Sequence, residues 1–427
     1  RNESQTIVGS GKEPPRGKET NNMETMSWPD WPRRLVDRIR GVLLYEGGEV
    51  AEGLRARLTR VDVAPRVAEI PDRAFARCDN LVAVRLNEGL RTVGDSAFAD
   101  CPALRGAVVP PTVGRVGSGA FSGCAGLVEL HLHEGLRVIG AVAFHNCRSL
   151  RSVIIPATVT RLDYDAFYGC ESLVDVHLNE GLEVIGKRAF SGCTALRRVA
   201  LPSTVAELGE YAFYGCCSLA EMRFNEGLRV VGENAFKICT SLRSVTIPST
   251  VTELGNFAFS QCCNLSEMIF LGGSRLLRQD VLENLPSEGG ILNQQNINDM
   301  IGRDAFFGCS LKTVKISTSW ALLGRMERLP PECGASVMER IRGLPCLELT
   351  QDGDILACFP VLGRALANES AIRANLATAR SLCQAIQMIA LHEIKESIIL
   401  FELAMWKSGI GGDTVGIDSR VPIPDPA

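Results

Sequence analysis

From Ile70 to Ile316 the chain sets apolar residues in a pattern that returns every 23 residues. One unit shows it well. Leu242, Val245 and Ile247 carry a short apolar–polar alternation, which predicts a strand with one buried side. Pro248 ends that strand, because proline cannot donate to a central ladder. Val251 and Leu254 then turn inward, and Ala258-Phe259 adds a small and a large core residue on the return arm. The Ala-Phe pair stands at Phe75, Phe98, Phe121, Phe144, Phe167, Phe190, Phe213, Phe236 and Phe259, always 23 residues apart. A tenth copy, Ala305-Phe306, follows after 47 residues, two periods plus one. A fixed period in the range of about 20–50 residues marks a stacked architecture. One such unit cannot bury its own apolar side, so it must lean on its neighbours.

Two further columns follow from the same register. A glycine stands four residues before most of these phenylalanines, at 94, 117, 140, 186, 209, 232, 255 and 302, with Asp163 and Pro71 as the exceptions. Gly with an occasional Asp predicts a backbone of positive φ there. Ten of the sixteen cysteines stand three residues after the Phe: Cys78, Cys101, Cys124, Cys147, Cys170, Cys193, Cys216, Cys239, Cys262 and Cys309. Stacked strands would set them about 4.8 Å apart with parallel Cβ directions, which does not favour disulfides. A buried core ladder of free thiols is the expectation, with redox or metal binding as the alternative.

The units also alternate in pairs. Asn87, His133, Asn179 and Asn225 each open a Glu-Gly-Leu run and are 46 residues apart, and Pro110, Pro156, Pro202 and Pro248 interleave at the same spacing. The true repeat therefore reads as a doublet.

The motif Leu-x-x-Val-x-Ile-Pro-x-x-Val-x-x-Leu-Gly-x-x-Ala-Phe-x-x-Cys, from Leu242 to Cys262, resembles the leucine-rich repeats of the BspA-like type. The resemblance covers roughly residues 66–318. It implies a right-handed solenoid of short parallel strands with irregular return arms, a role in protein interaction, and no catalytic residues.

The flanks carry other signals. Residues 1–26 are polar and read as a disordered tail. A helix from Asp30 to about Leu44 and a second from Val50 to Leu58 are expected to form an N-terminal helical cap over residues 27–65. A membrane-surface helix is the other reading of that segment. Over residues 271–299 the pattern falters: Arg278, Val281-Leu282 and Leu285 replace Gly, Ala-Phe and Cys. This predicts a degenerate rung with a bulged loop, or else a binding loop that interrupts the surface. Residues 319–367 look irregular, residues 368–407 helical, and 408–427 a loose tail. The C-terminal helix reads as a cap on the last rung or as a partner or self-association element.

Composition narrows the function. Hydrophobic residues make up 46%, enough for a large core, and a net charge of −4 argues against general nucleic-acid binding. No apolar run reaches the length of about 18 residues that a membrane span needs. The first residues, Arg1-Asn2-Glu3-Ser4, lack the apolar core of a secretory signal, a start that also fits a fragment or a processed chain. With the thiol column, this favours a cytoplasmic or nuclear location over a secreted one.

Apparent chemical motifs dissolve into the repeat. Gly181, Gly186 and Lys187 imitate a phosphate loop, but Arg188 stands where Ser or Thr is needed, and the same glycine spacing recurs without the lysine. No C-x-x-C pair exists, Asp352-Gly353-Asp354 lacks the later glutamate of a calcium loop, and no Ser/His/Asp order stands out. No metal, cofactor or catalytic residue is expected.

The informative surface is the exposed strand face. One position carries Arg85, His131, His177 and Arg223 in alternate units, with Val108, Ile154, Ala200 and Thr246 between them. One column over lie Glu129, Asp175, Glu221 and Glu267. These eight charged and polar residues read either as a solvated face with cross-strand pairs or as a partner-binding strip. Three functions remain in view: a non-enzymatic scaffold that binds a protein, a secreted or cell-surface adhesion protein, and an enzyme using the C-terminal region.

Overall fold

The computed structural model describes residues 41–271, 304–317, 347–349 and 355–361, with helical positions at Glu339, Arg373, Ala377, Thr378 and Ser381. The expected tail 1–26 lies outside the described residues. Each 23-residue unit makes one turn of a solenoid. Its longer strand has three to five residues in alternating burial: Ser152–Ile155 runs exposed, buried, exposed, buried. A second, two-residue strand just before each Ala-Phe joins its equivalents, from Glu69–Ile70 to Glu253–Leu254, in a nine-stranded parallel sheet. Turns connect the two, and among the described residues the return arms contain no helix.

The core is a set of columns running the length of the stack. Ten phenylalanines from Phe75 to Phe306 are fully buried, with successive ring centroids 5.1–5.7 Å apart and planes within 3–12°. Beyond its burial, each such contact is worth about 0.5–1.5 kcal/mol. The ten cysteines beside them are buried and free. From Cys101 onward each Sγ–H donates to the carbonyl of the Phe in the preceding rung, at 3.0–3.3 Å. Burial pushes the thiols of Cys147, Cys170, Cys193, Cys216 and Cys239 up, Cys170 to about 12, so these stay protonated and unreactive at neutral pH. The column is a core ladder.

The glycine expectation needs correction. Gly94, Gly117, Gly140, Gly186, Gly209, Gly232 and Gly255 do not have positive φ. Their cause is close approach between rungs: a Cβ on Gly209 would stand 2.6 Å from the Lys187 nitrogen and 2.7 Å from the Gly186 carbonyl carbon. Asp163, in the same column, turns its carboxylate toward Arg161 at 3.5 Å. Positive φ instead falls two residues before and two after the Phe, as at Tyr211 and Gly215, and thirteen non-glycine residues adopt it.

The doublet is physically real. Strand pairs such as Gly106–Val108 with Glu129–His131, or Ser152–Ile155 with Asp175–Leu178, share three or four residues in register. Between the doublets from Arg60 to Phe270 only Ala83↔Gly106 and Asp175↔Arg198 pair, and at the other two junctions the main sheet breaks. Side chains follow the same alternation. Asn225 Nδ2 donates back to the Pro202 and Val205 carbonyls inside its doublet. Glu180 accepts from the Ser203 nitrogen and hydroxyl of the next doublet.

Three further expectations are corrected. First, Val42–Tyr45, placed by the sequence at a helix end, is a strand paired in parallel with Arg60–Val63. The first rung exposes a ladder edge that another strand satisfies, and Tyr45 closes the phenylalanine stack with an edge contact to Phe75 at 5.0 Å. Only Glu52–Arg55 is helical within residues 41–65, and the rest of the expected N-terminal helix lies outside the described residues.

Second, the described rungs on either side of the expected degenerate rung meet each other directly, while residues 272–299 lie outside the described ones. The strand Glu267–Phe270 pairs directly with Thr313–Ser317, Phe259 stacks on Phe306 at 5.7 Å, and Cys309 donates to the Phe259 carbonyl. Nothing intervenes in the stack. The residues Arg278, Val281, Leu282 and Leu285 lie outside the described ones.

Third, the segment 319–367 is not wholly irregular. Leu347–Leu349 and Ile355–Pro360 form antiparallel strands that close the sheet on Thr313–Ser317, with Ala357 and Phe359 buried. Arg373, Ala377, Thr378 and Ser381 are helical, and Thr378 Oγ1 donates to the Cys358 carbonyl at 2.7 Å. The remainder of the expected C-terminal helix and the tail 408–427 lie outside the described residues.

Candidate interaction surface

The strand face arises because the alternate residues of each strand that do not enter the core must face solvent. Register aligns them in columns: Asp62↔Arg85, Val108↔His131, Ile154↔His177, Ala200↔Arg223 and Thr246↔Ile269↔Lys315. The second column contains Glu129, Asp175, Glu221 and Glu267, facing Gly106, Ser152, Arg198 and Ser244. All eight predicted residues therefore lie in two adjacent columns. Arg85, His131, His177 and Arg223 are exposed, as are Glu129 and Asp175, while Glu221 and Glu267 are half-buried.

The doublet turns these columns into a checkerboard. Basic side chains come from the Asn-type rungs, and between them the Pro-type rungs present Val108 and Ile154, 53% and 55% exposed. Aliphatic groups that open would be covered in a core, so they mark contact potential. A feature missed in the sequence lies beside them. Arg105, Arg151, Arg197 and Arg243 stand exposed where the Pro-type strands begin. Their 46-residue spacing was the available signal.

Some of the charges are already engaged. Arg223 Nε meets Glu221 Oε1 at 2.6 Å. Lys315 lies between Glu267 at 2.9 Å and Glu348 at 2.7 Å. Burial alone would lower the Lys315 ammonium, but its two carboxylate partners lift it above the ordinary lysine value. Lys315 in turn holds Glu348 below the usual carboxylate range. The C-terminal end of the strip is thus internally neutralised. Among the described residues, no group of three His, Cys, Asp or Glu side chains stands together as a metal site. The phosphate-loop imitation is a repeat turn, with Lys187 paired to Glu210 at 2.5 Å.

Comparison with known proteins agrees with this geometry. The family model described as "BspA type Leucine rich repeat region" matches residues 55–174 and 162–287, six copies that together span more than half of the chain. Comparison with curated proteins finds no match. Among solved structures, a leucine-rich repeat protein from Bacteroides ovatus is 22% identical over 50% of this chain and 73% of its own, with a TM-score of 0.35. A leucine-rich cell surface protein from Faecalibacterium prausnitzii is 22% identical over 60% and 79%, at 0.33. The pneumococcal vaccine antigen PcpA is 18% identical over 54% and 65%, at 0.36. Likenesses this distant carry no functional argument. Leucine-rich repeat families generally mediate protein–protein interaction and are generally not enzymes. Among the described residues no helix is long and apolar enough to cross a membrane. With its strands, phenylalanine stack and cysteine ladder phased to the matched repeats, this chain belongs to the BspA-type leucine-rich repeat family.

Proposed function

We propose that the chain is a non-enzymatic scaffold that binds a protein partner across its strand face, centred on the rungs from Arg85 to Arg223. The observation that carries this reading is the pair of exposed aliphatics, Val108 and Ile154, set between Arg85, His131 and His177 in one column. Apolar anchors ringed by polar groups are the arrangement that concentrates binding energy in protein interfaces. The face is also extended and preformed, which keeps the ordering cost of binding low.

The test is affinity capture from native extract, followed by direct binding of the identified partner. It compares the wild type with Val108→Asp/Ile154→Asp and with a variant changing Arg85, His131, His177 and Arg223 to Ser. Loss of at least tenfold in affinity, with circular dichroism unchanged, supports the strand face. Equal binding by all three proteins removes it.

The buried thiol column fits a reducing compartment, the cytoplasm or nucleus, better than an oxidising one. Thiol counting on natively purified protein reads this. Surface thiols at Cys217 and Cys263 found in mixed disulfides would point to a secreted adhesion protein instead.

A further inference from the structure

The narrow sheet of two-residue strands carries a second surface, on a different sheet from the strand face. Each of its strands has one buried residue and one that faces out, so the outward residues form a single column along the solenoid. Register fixes their order: Arg115↔Val138, Arg161↔Val184, Val184↔Glu207, Glu207↔Val230 and Val230↔Glu253, with Ile139↔Leu162 joining the first pair to the rest. Read along the stack, the column is two arginines and then two glutamates, with a valine between successive charges. Arg115, Arg161, Glu207 and Glu253 are exposed, Val138 is 43% exposed, and Val184 and Val230 are half-buried.

The fold does not call for that order. All four charged residues occupy the same place in a Pro-type rung, each just ahead of a buried Val or Leu. Either sign would serve there, yet the sign changes once, at Val184. The surroundings share the split: Arg91 and Arg137 lie on the basic side, Glu210 and Glu233 on the acidic side, and Asp95, Asp163, Lys187 and Arg229 offset part of each. Spacing is mirrored too. Phenylalanine steps of 5.5, 5.1 and 5.5 Å lead from the Arg115 rung to the Val184 rung, and steps of 5.4, 5.4 and 5.1 Å from there to the Glu253 rung. The column is therefore complementary in charge to itself read backwards.

We propose that this column is the contact of a homodimer, in which a second copy of the chain packs on it with its solenoid antiparallel, about a two-fold axis along the Val184 strand. Such an axis makes the same patch meet itself. It sets Arg161 against the partner's Glu207, Arg115 against the partner's Glu253, Val138 against the partner's Val230, and Val184 against its own copy. A two-fold along the solenoid would instead oppose each arginine to itself, so the charge order selects the antiparallel form. The arginines have capacity to spare. Arg115 Nη2 meets Asp95 at 3.2 Å and Arg161 Nε meets Asp163 at 3.5 Å, and a guanidinium carries five N–H donors. Twisted sheets laid face to face cross at about 30°, so contact is closest near the axis and the Arg161–Glu207 pairs matter most. Residues just ahead of the strands act the other way: the same axis sets Arg137 against the partner's Arg229, and Glu183 against its own copy. Exposed ion pairs are individually weak and screened by salt, so the dimer is weak and salt-sensitive.

The test is sedimentation equilibrium of the full chain at low and high salt, from about 1 μM to about 1 mM, the range of a weak interface. The wild type is expected to form a reversible dimer that salt dissociates. Arg115→Glu/Arg161→Glu makes the column wholly acidic, and Glu207→Arg/Glu253→Arg makes it wholly basic. Each variant alone is expected to associate roughly tenfold more weakly or worse, with circular dichroism unchanged. Mixed in equal amounts, the two are expected to form a heterodimer at least as tight as the wild-type dimer, because every charge pair across the axis is then opposite. Recovery on mixing also shows that neither variant lost association by misfolding. A wild type that stays monomeric throughout overturns the proposal. So does a dimer that neither variant weakens, which would place self-association elsewhere on the chain. Loss in both variants without recovery on mixing overturns the antiparallel pairing.

Discussion

Two kinds of junction alternate along this solenoid. Within a doublet the main strands share three or four residue pairs, and an Asn side chain ties one loop to the previous one. Between the doublets up to Phe270 the strands share one pair or none, and contact passes to loop-edge bonds, from Ser203 to Glu180 and from Thr204 Oγ1 to the Leu182 carbonyl at 2.7 Å. The core does not notice this difference. The Phe rings are 5.5 Å apart across Phe167–Phe190, within a doublet, and 5.4 Å across Phe190–Phe213, between two. Side-chain stacking thus sets the rise of the solenoid, while backbone pairing divides it into two-rung blocks.

The comparison can be broken most forcefully at the core. Phe190→Ala removes a fully buried ring that touches one junction of each kind, and should cost about 3–5 kcal/mol by chemical denaturation. A loss under about 1 kcal/mol would mean that the Phe column does not carry the stack. Gly209→Ala forces a methyl into the backbone of the rung below and should cost about 1–3 kcal/mol, the range for overpacking. If Gly209→Ala is neutral, close approach is not the reason for that column.

Asn225→Ala and Thr204→Val then set the two junctions against each other. Asn225 donates to two carbonyls and accepts from the Gly227 nitrogen, so its loss should cost about 1–3 kcal/mol. Thr204, itself exposed and donating to one carbonyl, should cost about 0.5–1.5 kcal/mol. Equal costs would erase the doublet as an energetic unit. Hydrogen exchange should show the same order, with amides of Asp175–His177 protected longer than those of Arg198–Ala200.

The smallest effect is electrostatic. The Ser203 backbone N–H, with its hydroxyl, holds the Glu180 carboxyl below the usual carboxylate range. A depressed folded pKa contributes stability that is present above the unfolded carboxylate value and is lost as pH falls through the folded one. The stability gap between wild type and Glu180→Gln should therefore close on acidification through that window. A gap independent of pH would show that the contact is not ionic.

The period alone identified the Phe, Cys and Leu columns as core, because each recurs in an environment made by copies of itself. The strand face was legible for a similar reason. Once Val153 and Ile155 face inward, Ser152 and Ile154 must face out, and register carries His131 and His177 into the Ile154 column. Other features depend on contacts that no single unit contains. The glycine column looked like a φ requirement because only the neighbouring rung reveals the backbone standing 2.6 Å from the missing Cβ of Gly209. Residues following Phe270 read as a worn rung because their phase is nearly right, and only the tertiary structure shows Phe306 stacked directly on Phe259.

The sequence by itself determined the rung length, the core columns, the doublet and the family, since all of these are periodic and local. Tertiary structure decided how the ends close, with strands at both where helices or irregular chain were expected. An exposed ladder edge is satisfied by backbone, and backbone pairing leaves little trace in side-chain pattern. It also decided that Lys237, Phe257 and Phe307, scattered along the chain, meet at one edge. Their meeting is set by the stacking of distant rungs, which sequence distance does not measure.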